Sequence, residues 1–177
     1  MVFAPMFFRK KHIAVLCFYV SKVMLYLGEK YRKGGESLRI AVIDGQGGGI
    51  GRVIVEKLRH ELGQSCSIIA LGTNAVASSM MLKAGANEGA SGENAVTYSL
   101  KRADIIAGSV AILAANSYSG ELTPRMAEAI ASSEAIKILI PLNRCGIEIS
   151  GVYDEPLPIQ VDHLVNRVKK LYDEKKS

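Results

Sequence analysis

The glycine-rich segment from Asp44 to Gly51 (DGQGGGIG) is the part of the sequence best suited to binding chemistry. Glycine lets a backbone turn tightly and approach a ligand without a Cβ atom in the way. A helix that begins after such a turn directs free N–H groups and the positive end of its dipole at the turn, which suits a phosphate. We therefore predict a nucleotide- or phosphate-binding loop formed by Gly45, Gln46, Gly47, Gly48, Gly49, Ile50 and Gly51. A tight turn that only lets a strand and a helix pack is the alternative.

Polar residues that follow later strands should lie near this loop, because ligands of parallel sheets bind at the carboxyl ends of the strands. Thr73 and Asn74 follow the second strand, where dinucleotide sites usually carry an acidic residue for the ribose hydroxyls. Without that acid, NADP is expected over NAD, or both should bind weakly; simple capping of the next helix is the alternative for both residues. Asn116 and Ser117 are expected to complete the site, and residues 143–145 follow a further strand.

Two carboxylates, Asp44 and Glu121, are predicted to face the same crevice, either as an acid–base pair or around a cation. An ordinary surface loop is the alternative for Glu121. The cysteines, at positions 17, 66 and 145, form no CxxC motif and have no histidine at ligand spacing, so no His/Cys metal site is predicted. An odd, scattered set of this kind is typical of reduced thiols in a cytoplasmic protein.

Strands that alternate with helices should position these residues. Short apolar runs predict strands at Leu38–Asp44, Ser67–Leu71, Asp104–Ile112 and Ile136–Leu142, with an edge strand at Ile147–Val152. Helical spacing predicts helices within residues 50–62, 75–83, 94–102, 123–133 and 161–171. Residues 85–93 are predicted to be mainly loop, with one short strand as the alternative. The pattern predicts one α/β domain over residues 38–177, with a Rossmann-like doubly wound parallel sheet.

Residues 1–37 are predicted to be a separate extension. They hold seven Lys or Arg against two Asp or Glu, whereas residues 38–177 hold fifteen of each, so no nucleic-acid partner is predicted. The apolar run His12–Leu27 is short and interrupted, which does not favour a membrane span. Lys33–Glu36 can be encoded by a bacterial ribosome-binding sequence and Leu38 by an alternative start codon. We therefore expect an extension that is either not native or a helical tether.

The spacing of Gly45, Gly49, Ile50 and Gly51 resembles the cofactor loop of short-chain dehydrogenases. That family needs a catalytic Tyr-x-x-x-Lys, which this sequence lacks, and Asp44 stands where the family usually has Thr or Ser. A module that binds or senses a nucleotide is therefore favoured slightly over the alternative, an NAD(P)-dependent oxidoreductase. A small nucleotide or phosphate ligand is the expected partner, and a homodimer is left open.

Several segments (IAVIDGQGGGIG, ALGTNA, KAGANEGASGENA, GELTP and DEPLP) resemble a family of small bacterial proteins whose domain has no assigned function. The resemblance covers about four-fifths of the chain. It implies a Rossmann-like domain that begins near Leu38, and it implies no particular activity.

Overall fold

The structure, a computed structural model, describes residues 37–142, 146–153 and 155–176. These residues form a five-stranded parallel sheet with helices on both faces. Its strands are β1 (Leu38–Asp44), β2 (Cys66–Gly72), β3 (Glu88–Ser91), β4 (Ile105–Ser109) and β5 (Ile136–Ile140). Their spatial order is β3-β2-β1-β4-β5, and every neighbouring pair is parallel. In chain order, β2 and β3 pair on one side of β1, and β4 and β5 then pair on its other side. This order confirms the Rossmann-like doubly wound fold and the single α/β domain.

Each strand is followed by a helix. The helices are α1 (Gly49–Leu62), α2 (Ala75–Lys83), α3 (Glu93–Ser99), α4 (Pro124–Ser132) and α5 (Leu157–Lys176). Helices α1, α2 and α5 cover one face of the sheet, and α3 and α4 cover the other. Within the described ranges, no helix is both long enough and apolar enough to span a membrane.

The central strand β1 is buried on both faces. Ile40 and Val42 pack against the layer of α1, α2 and α5, whereas Ala41 and Ile43 pack against the layer of α3 and α4. All four side chains are completely buried. A strand covered on both faces has no polar side, which explains why residues 40–43 are all apolar.

Two predicted strand assignments need correction. The strand predicted to reach Ile112 ends at Ser109, because a 3-10 turn over Val110–Leu113 brings Ile112 into the core beside α4. The predicted edge strand at Ile147–Val152 is absent: these residues form turns and irregular backbone, with Gly151 at φ +81°. The one short strand that the sequence allowed within residues 85–93 is β3, whose backbone pairs with β2 although its composition is poor for a strand.

The predicted extension, apart from Ser37, and residues 143–145 lie outside the described residues. Residues 50–62, 75–83 and 94–102 are helical as predicted, the last as α3 followed by a 3-10 turn. Helix α4 begins as expected, with the Thr123 hydroxyl accepting from Met126 N at 3.2 Å and Pro124 as the first helical residue.

Candidate functional site

The glycine loop connects β1 to α1, at the carboxyl edge of the sheet. Gly48 is the N-cap of α1 and has a left-handed backbone (φ +68°), and its N–H donates to the Gly45 carbonyl at 3.0 Å. Gln46 also has positive φ, at +51°. The loop is therefore a tight, internally bonded turn, as the sequence predicted.

Three of the loop glycines are required for packing. A Cβ atom on Gly45 would lie 2.6 Å from Cγ of Tyr118. One on Gly48 would lie 2.7 Å from Cα of Ala77 in α2, and one on Gly51 would collide with other side chains. Packing therefore accounts for glycine at these three positions, whereas their contact with a ligand stays a prediction.

Gly47 and Gly49 are different, because they leave open surface. Both are exposed, and no heavy atom outside their immediate surroundings lies within 4 Å of where a Cβ atom would stand. Within the described part of the chain, neither backbone N–H has a hydrogen-bond acceptor. Gly49 is the first residue of α1, so its N–H is one of the donors that a helix leaves free at its N-terminus.

Asp44 is hydrogen-bonded to backbone amides of the glycine loop. Its side chain is buried, and Oδ1 accepts from Gly45 N at 2.9 Å while Oδ2 accepts from Gly51 N at 2.7 Å. Burial raises the pKa of Asp44, and hydrogen bonds, first from the Gly51 and Gly45 amides, oppose that rise. The carboxylate therefore occupies amides that an external anion would otherwise use, which leaves Gly47 and Gly49 as the accessible donors.

Glu121 joins the loops that follow β1, β2 and β4. Its Oε2 accepts from Gln46 N at 2.8 Å, Thr73 Oγ1 at 2.5 Å and Asn74 Nδ2 at 2.8 Å. These hydrogen bonds, that of Thr73 first, lower the pKa of Glu121. Within the described residues, Oε1 of the same carboxylate has no hydrogen-bond partner. A carboxylate thus stands beside Thr73 and Asn74, although the end of β2 itself carries no acidic residue.

Tyr118 lies in the loop 116–121, which the sequence predicts to border the site, although no role was predicted for Tyr118 itself. Its ring packs on Gly45, and its hydroxyl lies 2.9 Å from Ser109 Oγ at the end of β4. It also hydrogen-bonds the Asp44 carboxylate. Tyr118 therefore fills the crevice between the ends of β1 and β4. Its place in the polar loop after β4 is the one sequence signal that could have indicated it.

Asn74 and Ser117, two further predicted site residues, make hydrogen bonds that stabilise the fold. Asn74 caps α2 through Oδ1, which accepts from Ala77 N at 2.9 Å, so the capping alternative holds for this residue alongside its contact with Glu121. Ser117 is buried and donates its hydroxyl to the Ala111 carbonyl at 2.8 Å. Asn116 is exposed and has φ +64°. Ligand contacts of Asn116 and Ser117 stay a prediction.

The two predicted partners of the carboxylate pair, Asp44 and Glu121, bind different groups. Asp44 lies beneath the loop and Glu121 lies on its outer side, each hydrogen-bonded to protein donors. Across the residues that the structure describes, no three His, Cys, Asp or Glu side chains converge as a metal site requires. The acid–base or cation role of the pair stays a prediction.

The sheet order and the strand–glycine loop–helix unit define a Rossmann-like α/β protein. A family described as a domain of unknown function (DUF3842) matches residues 39–173, and the chain belongs to this family. A comparison with curated proteins gives no match.

Proposed function

We propose that this chain is a cytoplasmic module that binds a nucleotide through the glycine loop and senses it. The observation that carries the proposal is the open surface at Gly47 and Gly49, whose amides are free at the N-terminus of α1. A phosphate there would accept hydrogen bonds from both amides and be stabilised by the helix dipole. The loop also lies where the strand order reverses beside β1, the usual ligand position in such sheets.

The position of Tyr118 favours a nucleotide with one base over a dinucleotide. Dinucleotides lie across both sides of the point where the strand order reverses. Here the ring of Tyr118 covers Gly45 and its hydroxyl reaches Ser109, so the half of the crevice over β4 is filled. In our proposal, a nucleoside mono- or diphosphate binds in the other half of the crevice, over β2 and α1. A nicotinamide ring would have to displace Tyr118, which is why we favour a sensing role over an NAD(P)-dependent oxidoreductase.

The test compares the full chain with its Gly47→Val variant by thermal shift and calorimetry, using ADP, ATP, NAD and NADP. Valine at this open position should leave the fold intact and block the phosphate. We expect ADP or ATP to raise the melting temperature of the wild type but not of the variant. Ser65→Val, also at an exposed position in the turn before β2, is the matched control and should behave like the wild type.

Two results would contradict this proposal. The first is that none of the four nucleotides raises the melting temperature of the wild type. The second is that Gly47→Val responds to them as the wild type does. Tight NAD or NADP binding together with hydride transfer would instead support the oxidoreductase.

A further inference from the structure

The carboxylate of Glu121 lies at the carboxyl edge of the sheet, beside the residues that follow β2. Its Oε2 is occupied by three donors, whereas Oε1 has no hydrogen-bond partner in the described ranges. We propose that Glu121 selects ligands that carry a free ribose diol, so that the site takes ribonucleotides without a 2′-phosphate. This inference rests on the nucleotide-binding function proposed above and adds the ligand class.

The loop that carries Glu121 has a strained but heavily bonded backbone. Three non-glycine residues, Asn116, Tyr118 and Ser119, have φ between 56° and 64°. Such conformations persist only where the surrounding contacts enforce them, and they concentrate at functional sites. Here Asn116 N donates to the carbonyl of the fully buried Leu122 at 2.8 Å. Glu121 is therefore presented by a preorganised loop, as a binding group should be.

The hydrogen bonds that hold Glu121 leave its negative charge uncompensated. The donors to Oε2 are the amide of Gln46, the hydroxyl of Thr73 and the carboxamide of Asn74, and all three are neutral. They also lower the pKa of Glu121, so the carboxylate is ionised at neutral pH. An ionised carboxylate only accepts hydrogen bonds, and the two hydroxyls of a diol donate them. A 2′-phosphate at the same place would meet like charge instead.

The residues after β2 act here as positioning residues. In dinucleotide-binding sheets the end of the second strand itself carries the acid that holds the ribose. In this chain Thr73 and Asn74 occupy that place and bind Glu121, which arrives from the loop after β4. The NADP preference expected from the sequence rested on the lack of an acid at this place, and the carboxylate of Glu121 supplies one.

The experiment measures affinities by calorimetry for AMP, 2′-deoxy-AMP and adenosine 2′,5′-bisphosphate, which share a 5′-monophosphate and differ only at the 2′ position. Glu121→Gln retains one oxygen for the three donors and places an NH₂ group where Oε1 stood. We expect wild type to bind AMP at least about ten-fold more tightly than either analogue, as one charge-assisted hydrogen bond allows. In Glu121→Gln the three affinities should fall within about two-fold of one another. Glu128→Gln, an exposed change on α4, is the matched control and should retain the preference.

The outcomes separate the two proposals. Equal wild-type affinities for the three probes would overturn the role of Glu121 and leave nucleotide binding intact. A preference that survives in Glu121→Gln would also overturn it, provided that urea unfolding shows the variant to be folded; Glu121→Asp, which shortens the side chain, replaces it otherwise and should weaken the preference. No binding of any probe by the wild type would overturn the nucleotide proposal and this inference with it.

Discussion

Adding one methyl group to each of two neighbouring glycines, Gly47 and Gly48, should have opposite effects on stability. A Cβ atom on Gly48 would lie 2.7 Å from Cα and 2.8 Å from the carbonyl oxygen of Ala77, both backbone atoms of α2. Gly48 also has φ +68°, which L-residues rarely adopt. A Cβ atom on Gly47 would meet nothing within 4 Å, and its φ is not positive.

The expected magnitudes follow from these two differences. The left-handed backbone costs alanine about 1–2 kcal/mol relative to glycine. Forcing α2 away from the loop adds about 1–3 kcal/mol, as overpacking in a core does. Gly48→Ala should therefore lower the free energy of unfolding by about 2–5 kcal/mol. Gly47→Ala should change it by less than about 1 kcal/mol and in the stabilising direction, because alanine restricts the unfolded chain more than glycine does.

Equilibrium unfolding in urea, followed by far-UV circular dichroism, provides the comparison. Both variants should keep the wild-type dependence on urea concentration, so that the shift of the midpoint reports stability alone. The reasoning would be refuted if Gly48→Ala unfolded within about 0.5 kcal/mol of wild type, or if Gly47→Ala lost as much stability as Gly48→Ala.

Three further predictions concern titratable side chains. Asp44→Asn should lower the free energy of unfolding by about 1–3 kcal/mol, measured in urea at pH 7, because a carboxamide cannot accept from the loop amides at both positions. The hydrogen bond from Thr73 helps to lower the pKa of Glu121 below that in the unfolded chain. The ionised Glu121 side chain therefore stabilises the fold at neutral pH, and this stabilisation is lost as pH falls through the folded-state pKa. Glu121→Gln should thus lose less thermal stability than wild type between pH 5 and pH 3. Burial raises the pKa of the Cys66 thiol, so iodoacetamide should label it slowly until the protein is unfolded, as peptide mass spectrometry would detect.

Each of these three predictions has a result that would contradict it. An Asp44→Asn variant as stable as wild type would mean that the carboxylate does not hold the loop. Parallel curves of stability against pH for wild type and Glu121→Gln would remove the link between Glu121 and acid sensitivity. Labelling of Cys66 in folded protein at the rate of a free thiol would show that the start of β2 is accessible to the reagent.

The frame of the fold was predictable because its signals are local. Residues 40–43 of β1 are a continuous apolar run. Thr123 with Pro124 marks the start of α4 by capping chemistry that involves only neighbouring residues. The edge strand predicted at Ile147–Val152 was wrong for the opposite reason. Strand formation depends on a partner elsewhere in the chain, and the composition of a short segment does not contain that information.

The site was predictable in its parts and not in its arrangement. The glycine loop and Glu121 were identified by type and by position after a strand. The contact of Glu121 with Thr73 joins residues 48 positions apart and depends on the left-handed backbone of the loop after β4, which no residue type there dictates. The same long-range geometry brings Tyr118 onto Gly45.

The central position of β1 has a consequence for how the chain folds. β1 is synthesised before the other strands, yet its pairing is complete only when β4 arrives; Arg39 N donates to Asp104 Oδ2 across 65 residues. Until then β1 is an edge strand whose backbone is unpaired on one side, and its apolar residues face a layer that lacks α4. Long-range parallel pairing of this kind is slow to form. We therefore expect a folding intermediate that contains only β1, β2 and β3 to be prone to aggregation. Pairing of β4 with the free edge of β1 should end this exposure.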